Sequence, residues 1–388
     1  MPRPVFIAGV GLTPFGKFAD QGLRSLGRRA ALDALADAGA TPADIEMISC
    51  GSARSGILQG RESGVGQLVG WELGIKGVPV YNLKAFCASG TSALNVAYMA
   101  IAGGFHDIAL VVGVEKMSQR SGKGRTLTSD GMEVEGDLGF APPAMFAAGA
   151  LQHMQRYGTT REQLAQVAVK NRQAAYHNPR AQYRDLITVD DVLNSRPVAG
   201  PLNLLDCCPT GDGGGAAVLA SADGLRRLGG DAKPVRVAAT IMRTGLYEQF
   251  KDLTSYQLDV ETAKIAYETA GVGPEDVDLA EVHDAFTITE IIHCEDLGFC
   301  EKGKGGPAVT AGEFSLGGRL PVSPSGGLLT KGHPLGATGL AQVFELTEQL
   351  RGRSQARQVN GARVGLAHLN GGFQEGDMAT SAVTILTA

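Results

Sequence analysis

Asn82-Leu83-Lys84-Ala85-Phe86-Cys87-Ala88-Ser89-Gly90-Thr91-Ser92-Ala93-Leu94 is the stretch on which the reading of the fold turns. An apolar run gives way to a thiol set between small residues, and then to a helical pattern. That order predicts a strand, a tight turn and a buried helix, with Cys87 at the helix start. Unpaired backbone N–H groups and the positive end of a helix dipole lower a thiol pKa. The same amides can hold a developing oxyanion. A free cysteine is most often a small buried hydrophobe, so the rest of the chain has to decide between the two readings.

A matching turn lies in the second half. Pro324-Ser325-Gly326-Gly327-Leu328-Leu329-Thr330-Lys331-Gly332-His333-Pro334-Leu335-Gly336-Ala337-Thr338-Gly339 sets His333 between Gly and Pro at the head of another helix. A lone histidine is usually a satisfied structural residue. A nucleophilic thiol needs a nearby base, however, and imidazole has a suitable pKa. Gly90-Thr91-Ser92-Ala93-Leu94-Asn95-Val96-Ala97 also parallels Gly336-Ala337-Thr338-Gly339-Leu340-Ala341-Gln342-Val343. Each segment opens a helix, and each helix precedes a strand, at 108–114 and at Arg363 to His368. The parallel predicts a degenerate internal duplication with an active site where the halves meet.

Composition agrees with a large layered enzyme. The 388 residues exceed one simple core, and 44% hydrophobic against 19% charged residues supplies a large interior. The 54 glycines suit many strand-to-helix turns. A net charge of -5 without a basic run argues against nucleic-acid binding. Cys50, Cys87, Cys207, Cys208, Cys294 and Cys300 show neither disulfide-framework nor zinc spacing, so reduced thiols, no metal and a cytoplasmic setting are expected. The chain enters the strand-like Val5-Phe6-Ile7-Ala8-Gly9-Val10 at once, without a signal-peptide shape, and no apolar run reaches membrane length.

Strand and helix patterns alternate through 1–117, with a helix over Leu23 to Ala38 and strands at Ile45 to Cys50 and 108–114. Strands become scarce in 118–205, where helices such as Thr160 to Ala175 predict a lid or binding subdomain. The chain returns to the first sheet over 206–230, and a second α/β half runs over 231–388.

Three further sites stand out. His283, in Leu279-Ala280-Glu281-Val282-His283-Asp284-Ala285-Phe286, falls at the end of an apolar strand, where catalytic groups gather. The structural alternative has Asp284 capping the helix that follows. Gly371, in Ala367-His368-Leu369-Asn370-Gly371-Gly372, ends a C-terminal strand and offers an amide for an oxyanion hole. Thr210, in Thr210-Gly211-Asp212-Gly213, is a weaker candidate for ligand contact.

These turns, in this order and at these separations, resemble the thiolase superfamily over essentially the whole chain. The Cys87 elbow looks like its acyl-accepting cysteine, and Gly332-His333-Pro334 like its Gly-His-Pro motif. Val112-Gly113-Val114-Glu115-Lys116-Met117-Ser118 is similar to the strand leading into its loop domain. His283-Asp284-Ala285-Phe286 resembles the His-Asp-x-Phe start of the sterol-carrier-protein-type branch. The resemblance implies an α/β thiolase fold, with two duplicated α/β/α/β/α layered halves and a loop domain over 118–205 that holds CoA. It implies an acyl-CoA C-acyltransferase with CoA as substrate and no prosthetic group. Cys87 would attack a 3-oxoacyl-CoA, His333 would take its proton, and His283 would complete a first oxyanion hole. The amides of Cys87 and Gly371 would form a second for the acyl-enzyme. Met145 and Phe146 fall in the pocket-lining part of the loop domain. A homodimer or higher oligomer is implied, through the edge of the first half, and some relatives bind a small zinc-ribbon/OB-fold partner.

Two departures narrow the substrate. Leu369 stands roughly where many thiolases carry a second catalytic cysteine, and Ala285 where this branch can place one. The usual acid/base for the α-carbon is therefore missing from both places. Thiolysis of a bulky, branched or aryl 3-oxoacyl-CoA, such as a sterol side chain or a benzoylsuccinyl-CoA-like diacid, is the expected role. A retro-aldol carbon–carbon lyase acting on 3-hydroxyacyl-CoA and a non-catalytic thiolase-like subunit are the alternatives.

Overall fold

The computed structural model describes residues 2–118, 141–231, 233–247, 252–374 and 377–388. The first half comprises Val5–Leu12 (β1), Leu23–Ala38 (α1), Met47–Gly51 (β2), Ser55–Gln59 (α2), Val65–Leu73 (α3), Val80–Leu83 (β3), Ser89–Ala102 (α4) and Ile108–Lys116 (β4). Pro142–Tyr157 (α5), Arg161–Tyr176 (α6), Val189–Leu193 (α7) and the ribbon Pro197–Ala199 (β5) with Leu202–Asn203 (β6) lead back to Asp212–Ser221 (β7) and Ala222–Arg227 (α8). The second half holds Val235–Thr244 (β8), Gln257–Ala270 (α9), Leu279–Glu281 (β9), Thr287–Asp296 (α10), Gly305–Thr310 (α11), Gly327–Lys331 (α12), Leu335–Leu350 (α13), Val364–Gln374 (β10) and Asp377–Thr387 (β11).

The internal duplication expected from the helix motifs is visible in the strand order. Nine strands form one sheet, β3-β2-β4-β7-β1-β8-β11-β10-β9. From the central antiparallel β1/β8 pair the first half runs β1, β7, β4, β2, and the second runs β8, β11, β10, β9. The pair directions also repeat: antiparallel, antiparallel, parallel in each half. Even β3 has an echo, since Val322 bridges Ala280 of β9 in parallel just before the His333 turn.

The strands read as continuous apolar runs because both of their faces are buried. In β4, Ala109 and Val111 face a core shared with α4 and α13, while Leu110, Val112 and Val114 face one shared with α1 and α3. Strand β7 splits the same way, with Ala217 and Leu219 inward and Ala216 and Val218 outward. Helices α4 and α13 thus form a middle layer between the halves, with α1 outside the first half and α9 outside the second.

The two middle helices touch through glycine. A Cβ at Gly90 would strike the Gly336 carbonyl, and one at Gly339 would strike Thr91. That close approach brings together the turns at the heads of both helices. Residues 119–140 of the expected 118–205 excursion lie outside the described residues. The described remainder adds no strand to the large sheet, and α5 and α6 pack on α10 of the second half.

Candidate active site

Strand β3 and helix α4 are joined by a turn held by its own side chains. Ser89 Oγ donates to the Phe86 carbonyl at 2.7 Å and accepts from the Ala85 amide at 2.8 Å. Phe86 is forced to φ 50°, a left-handed conformation costly for a bulky residue. Half-buried Cys87 follows it and lines a cavity of about 450 Å³.

The expected lowering of the thiol pKa is not what the site does. Burial dominates and pushes the Cys87 thiol up to about 12, although the Arg54 charge and the amides of Gly372 and Cys87 pull it back. The N-terminus of α4 lies beyond the sulfur, with Ala88 as its N-cap. The Cys87 side chain is therefore a thiol at neutral pH.

The His333 ring is fixed by Thr338. Its Nδ1 lies 2.8 Å from Thr338 Oγ1, and the Thr338 hydroxyl donates to the Pro334 carbonyl at 3.0 Å. The hydroxyl has one hydrogen, so it must accept from the imidazole, which assigns the proton to Nδ1. Nε2, buried and without a partner among the described residues, keeps its lone pair. Burial, then the Lys331 ammonium, lowers the His333 pKa to about 3, so the ring is neutral at physiological pH. Cys87, His283 and His333 each present a ligand-type atom within 4.8 Å of the others.

Asp284 does not cap the helix after it. It accepts from the Leu328 amide at 2.8 Å and from Asn171 at 2.7 Å, fixing the turn before α12. His283 is instead held through its backbone carbonyl, which accepts from Thr289 Oγ1 at 2.8 Å. Both of its ring nitrogens are buried without partners among the described residues, and burial, then the other imidazoles, pushes its pKa well down.

Thr210 and Phe146 line the cavity with Cys87, His283 and His333, and Phe146 stacks on Phe286 at 4.5 Å. Met145 does not line it and packs against the core of the second half. The amide reaching the Cys87 sulfur belongs to Gly372, one residue beyond Gly371. Gly371 packs against the Ala85 carbonyl and Ala88, and Gly372, at φ 62°, leaves room for the Phe86 ring. One residue of register also moves the slot assigned to Leu369. Leu369 is buried in the core, and Asn370 lines the cavity.

Sequence reasoning missed Arg54, Lys84 and Glu62 at the cavity wall, where Lys84 pairs with Glu62. It also missed Glu115, buried between the halves. Its carboxylate accepts from the Ala53 amide at 2.7 Å and the Gly336 amide at 3.1 Å, tying the head of α13 to the first half. The signal was there, an acid inside the apolar run 108–116. Behind His283 lies a second missed group, His293, His368 and Asp259, all fully buried.

Comparison with known proteins agrees with this architecture. Residues 5–223 match the thiolase N-terminal domain, and residues 239–388 the thiolase C-terminal domain-like family. The chain is 42% identical over 371 residues to an acetyl-CoA acetyltransferase of Methanothermobacter thermautotrophicus, covering 95% of this chain and 97% of that one. It is 37% identical to the benzoylsuccinyl-CoA thiolase subunit BbsB of Thauera aromatica, covering 96% of each. Among solved structures, the Ltp2-ChsH2(DUF35) aldolase superposes with a TM-score of 0.84 at 28% identity, covering 100% of this chain and 98% of that one. Human mitochondrial 3-ketoacyl-CoA thiolase, at 0.75 and 21% over 100% and 99%, shares the fold. Duplicated sheet, paired helix-head turns and matches along both halves lead to one conclusion: the chain belongs to the thiolase family and is an enzyme of the acyltransferase type.

Proposed function

We propose that this enzyme cleaves a 3-oxoacyl-CoA with CoA through an acyl-enzyme on Cys87. The observation that carries the reading is the convergence of Cys87, His283 and His333 within 4.8 Å, with the Gly372 amide on the sulfur. Attack on the 3-oxo carbon sends the thiol proton to His333 Nε2, the lone pair left free by Thr338. His333 and His283 then face the thioester oxygen of the leaving enolate. The Cys87 and Gly372 amides hold the oxyanion of the acyl-enzyme half-reaction. The helices of the described stretch 141–205 contribute the site that holds CoA.

The substrate is bulky or aryl. A cavity of about 450 Å³ walled by Phe146, Phe286, Phe373 and Met378 is larger than an acetyl group needs. The likeness to a benzoylsuccinyl-CoA thiolase subunit supports this choice. The protein acts as a homodimer in the cytoplasm: edge strand β3 leaves Tyr81 half exposed, all six cysteines are unbridged, and no described helix is long and apolar enough to cross a membrane. A small partner protein completes the CoA site, a reading supported by likeness to an aldolase described together with a ChsH2(DUF35) component.

That same likeness favours one rival, retro-aldol cleavage of a 3-hydroxyacyl-CoA. Cys87→Ala separates them. Thiolysis of 3-oxoacyl-CoAs by this variant falls to background on our reading. A variant that still cleaves 3-hydroxyacyl-CoAs at near wild-type rate would establish the lyase.

A further inference from the structure

Four of the seven histidines lie in one file behind the reactive thiol. His333 and His283 have ring centroids 5.4 Å apart, His283 and His293 6.1 Å, and His293 and His368 4.5 Å. The file ends on Asp259, whose carboxylate oxygens lie 3.1 Å from His293 Nδ1 and 3.3 Å from His368 Nε2. Asn370, on the cavity wall, donates to Asp259 at 3.0 Å and lies 3.2 Å from His368 Nε2.

These side chains come from α9, α10 and β10 and have no exposed surface. Among the described residues, both ring nitrogens of His283, Nε2 of His293 and Nδ1 of His368 lack a hydrogen-bond partner, while His293 Nδ1 faces the Asp259 carboxylate. Buried polar atoms left unpaired are costly, and apolar side chains would fill the space at less expense. A file of imidazoles from a carboxylate to a nucleophile does have a chemical use. Each ring can take a proton on one nitrogen while releasing one from the other.

We propose that Asp259, His293 and His368 are positioning residues that hold a proton behind His283, and that through them His283 protonates the α-carbon of the leaving enolate. The proposal rests on the thiolase reading and deepens it. It gives the α-carbon an acid where Asn370, Leu369 and Ala285 supply no thiol.

The steps balance. As the Cys87 sulfur bonds to C3, its proton goes to His333. The C2–C3 bond breaks and its electron pair stays on C2 as the enolate. His283 gives its cavity-side proton to C2 and takes another from His293 at its opposite nitrogen, the two rings, 6.1 Å apart between centroids and not hydrogen-bonded at rest, closing to contact for the transfer. The proton on His333 then returns through His283 to the Asp259 group and resets the tautomer. In the second half-reaction the thiol proton of CoA ends on Cys87. Asp259 is suited to stabilise the stored proton. Burial works against its ionisation, but the His368 and His293 imidazoles beside it hold its carboxyl well below the usual range, and that carboxylate opposes the burial that lowers the His293 pKa to about 4.

Two exchange reactions of the full-length protein, with any partner it needs, test this. One is scrambling of isotopically labelled CoA into a panel of acyl-CoA thioesters running from acetyl-CoA to branched and aryl-bearing chains, which requires Cys87 and His333 alone. The other is deuterium uptake at C2 of the same thioesters from D2O, which requires the α-carbon acid/base. In Asp259→Asn and His293→Gln, two conservative changes, C2 exchange should fall about 10- to 100-fold, the scale of lost acid–base assistance. CoA scrambling should fall less than about threefold. Equal losses in both reactions would make the cluster merely structural, and no loss in either would remove it from the reaction. One equivalent of tightly bound divalent metal on purified wild-type protein would also overturn the proposal, since the nitrogens would then be ligands. Absence of CoA scrambling in the wild type would remove the thiolase reading itself.

Discussion

At the scale of single residues, the site works by keeping its groups neutral until substrate arrives. Cys87 near 12 and His333 near 3 leave a thiol beside an imidazole, not an ion pair. Alkylation of Cys87 by iodoacetamide should therefore be slow at pH 7–8 and keep rising toward about pH 12. A rate that levels off below pH 8 would show a preformed thiolate. Gly372→Ala is the sharpest test of the amide. The new methyl would meet the Phe86 ring, and a non-glycine residue would be strained at φ 62°. The substitution keeps the N–H but moves it, so turnover should fall by up to about 10²–10³-fold with little change in KM, the scale of losing one oxyanion donor. The convergence of Cys87, His283 and His333 on one cavity was legible in the sequence because each stands in a turn at a strand end or a helix head. Gly372 and Asn370 were misplaced by one residue because a glycine pair does not reveal which amide turns inward. The thiol pKa was misjudged because burial is a property of the assembled halves.

At the scale of elements, α4 and α13 decide whether the site exists. Their glycine contact sets the separation of the Cys87 and His333 turns, and Glu115 locks the head of α13 to the 52–54 loop. Gly339→Val should drive its side chain into Thr91 and destabilise the protein by about 1–3 kcal/mol. Chemical denaturation measures that loss, and activity should fall more steeply than stability. Unchanged stability would mean the helices are not in contact. The element pattern was largely readable, since α1 covers the predicted Leu23 to Ala38 and β4 extends the predicted 108–114. The repeated Gly-x-x-x pattern of the two helices also betrayed the duplication. The sheet order was not readable, because strands buried on both faces carry no alternation to say which neighbour they pair with.

At the scale of the whole molecule, a candidate site buried where the two halves of one sheet meet ties its histidines to acid stability. The His333 pKa is about 3 in the native state, lowered by burial and then Lys331, against about 6.5 in an unfolded chain. Between those values the unfolded chain binds more protons, so this residue's contribution is lost as pH falls from about 6.5 toward 3. His333→Gln should remove that part of the acid sensitivity, and the gap in Tm between wild type and variant should narrow or reverse as pH falls. A gap independent of pH would mean His333 titrates normally. The central claim, covalent catalysis at Cys87 across the joined halves, has a direct test. The protein, alone and with any purified partner, is mixed briefly with a panel of 3-oxoacyl-CoAs without free CoA and analysed by intact-protein and peptide mass spectrometry. The account predicts an acyl adduct on Cys87 that added CoA removes, its mass naming the acyl group. No adduct from any substrate, with or without the partner, would contradict it.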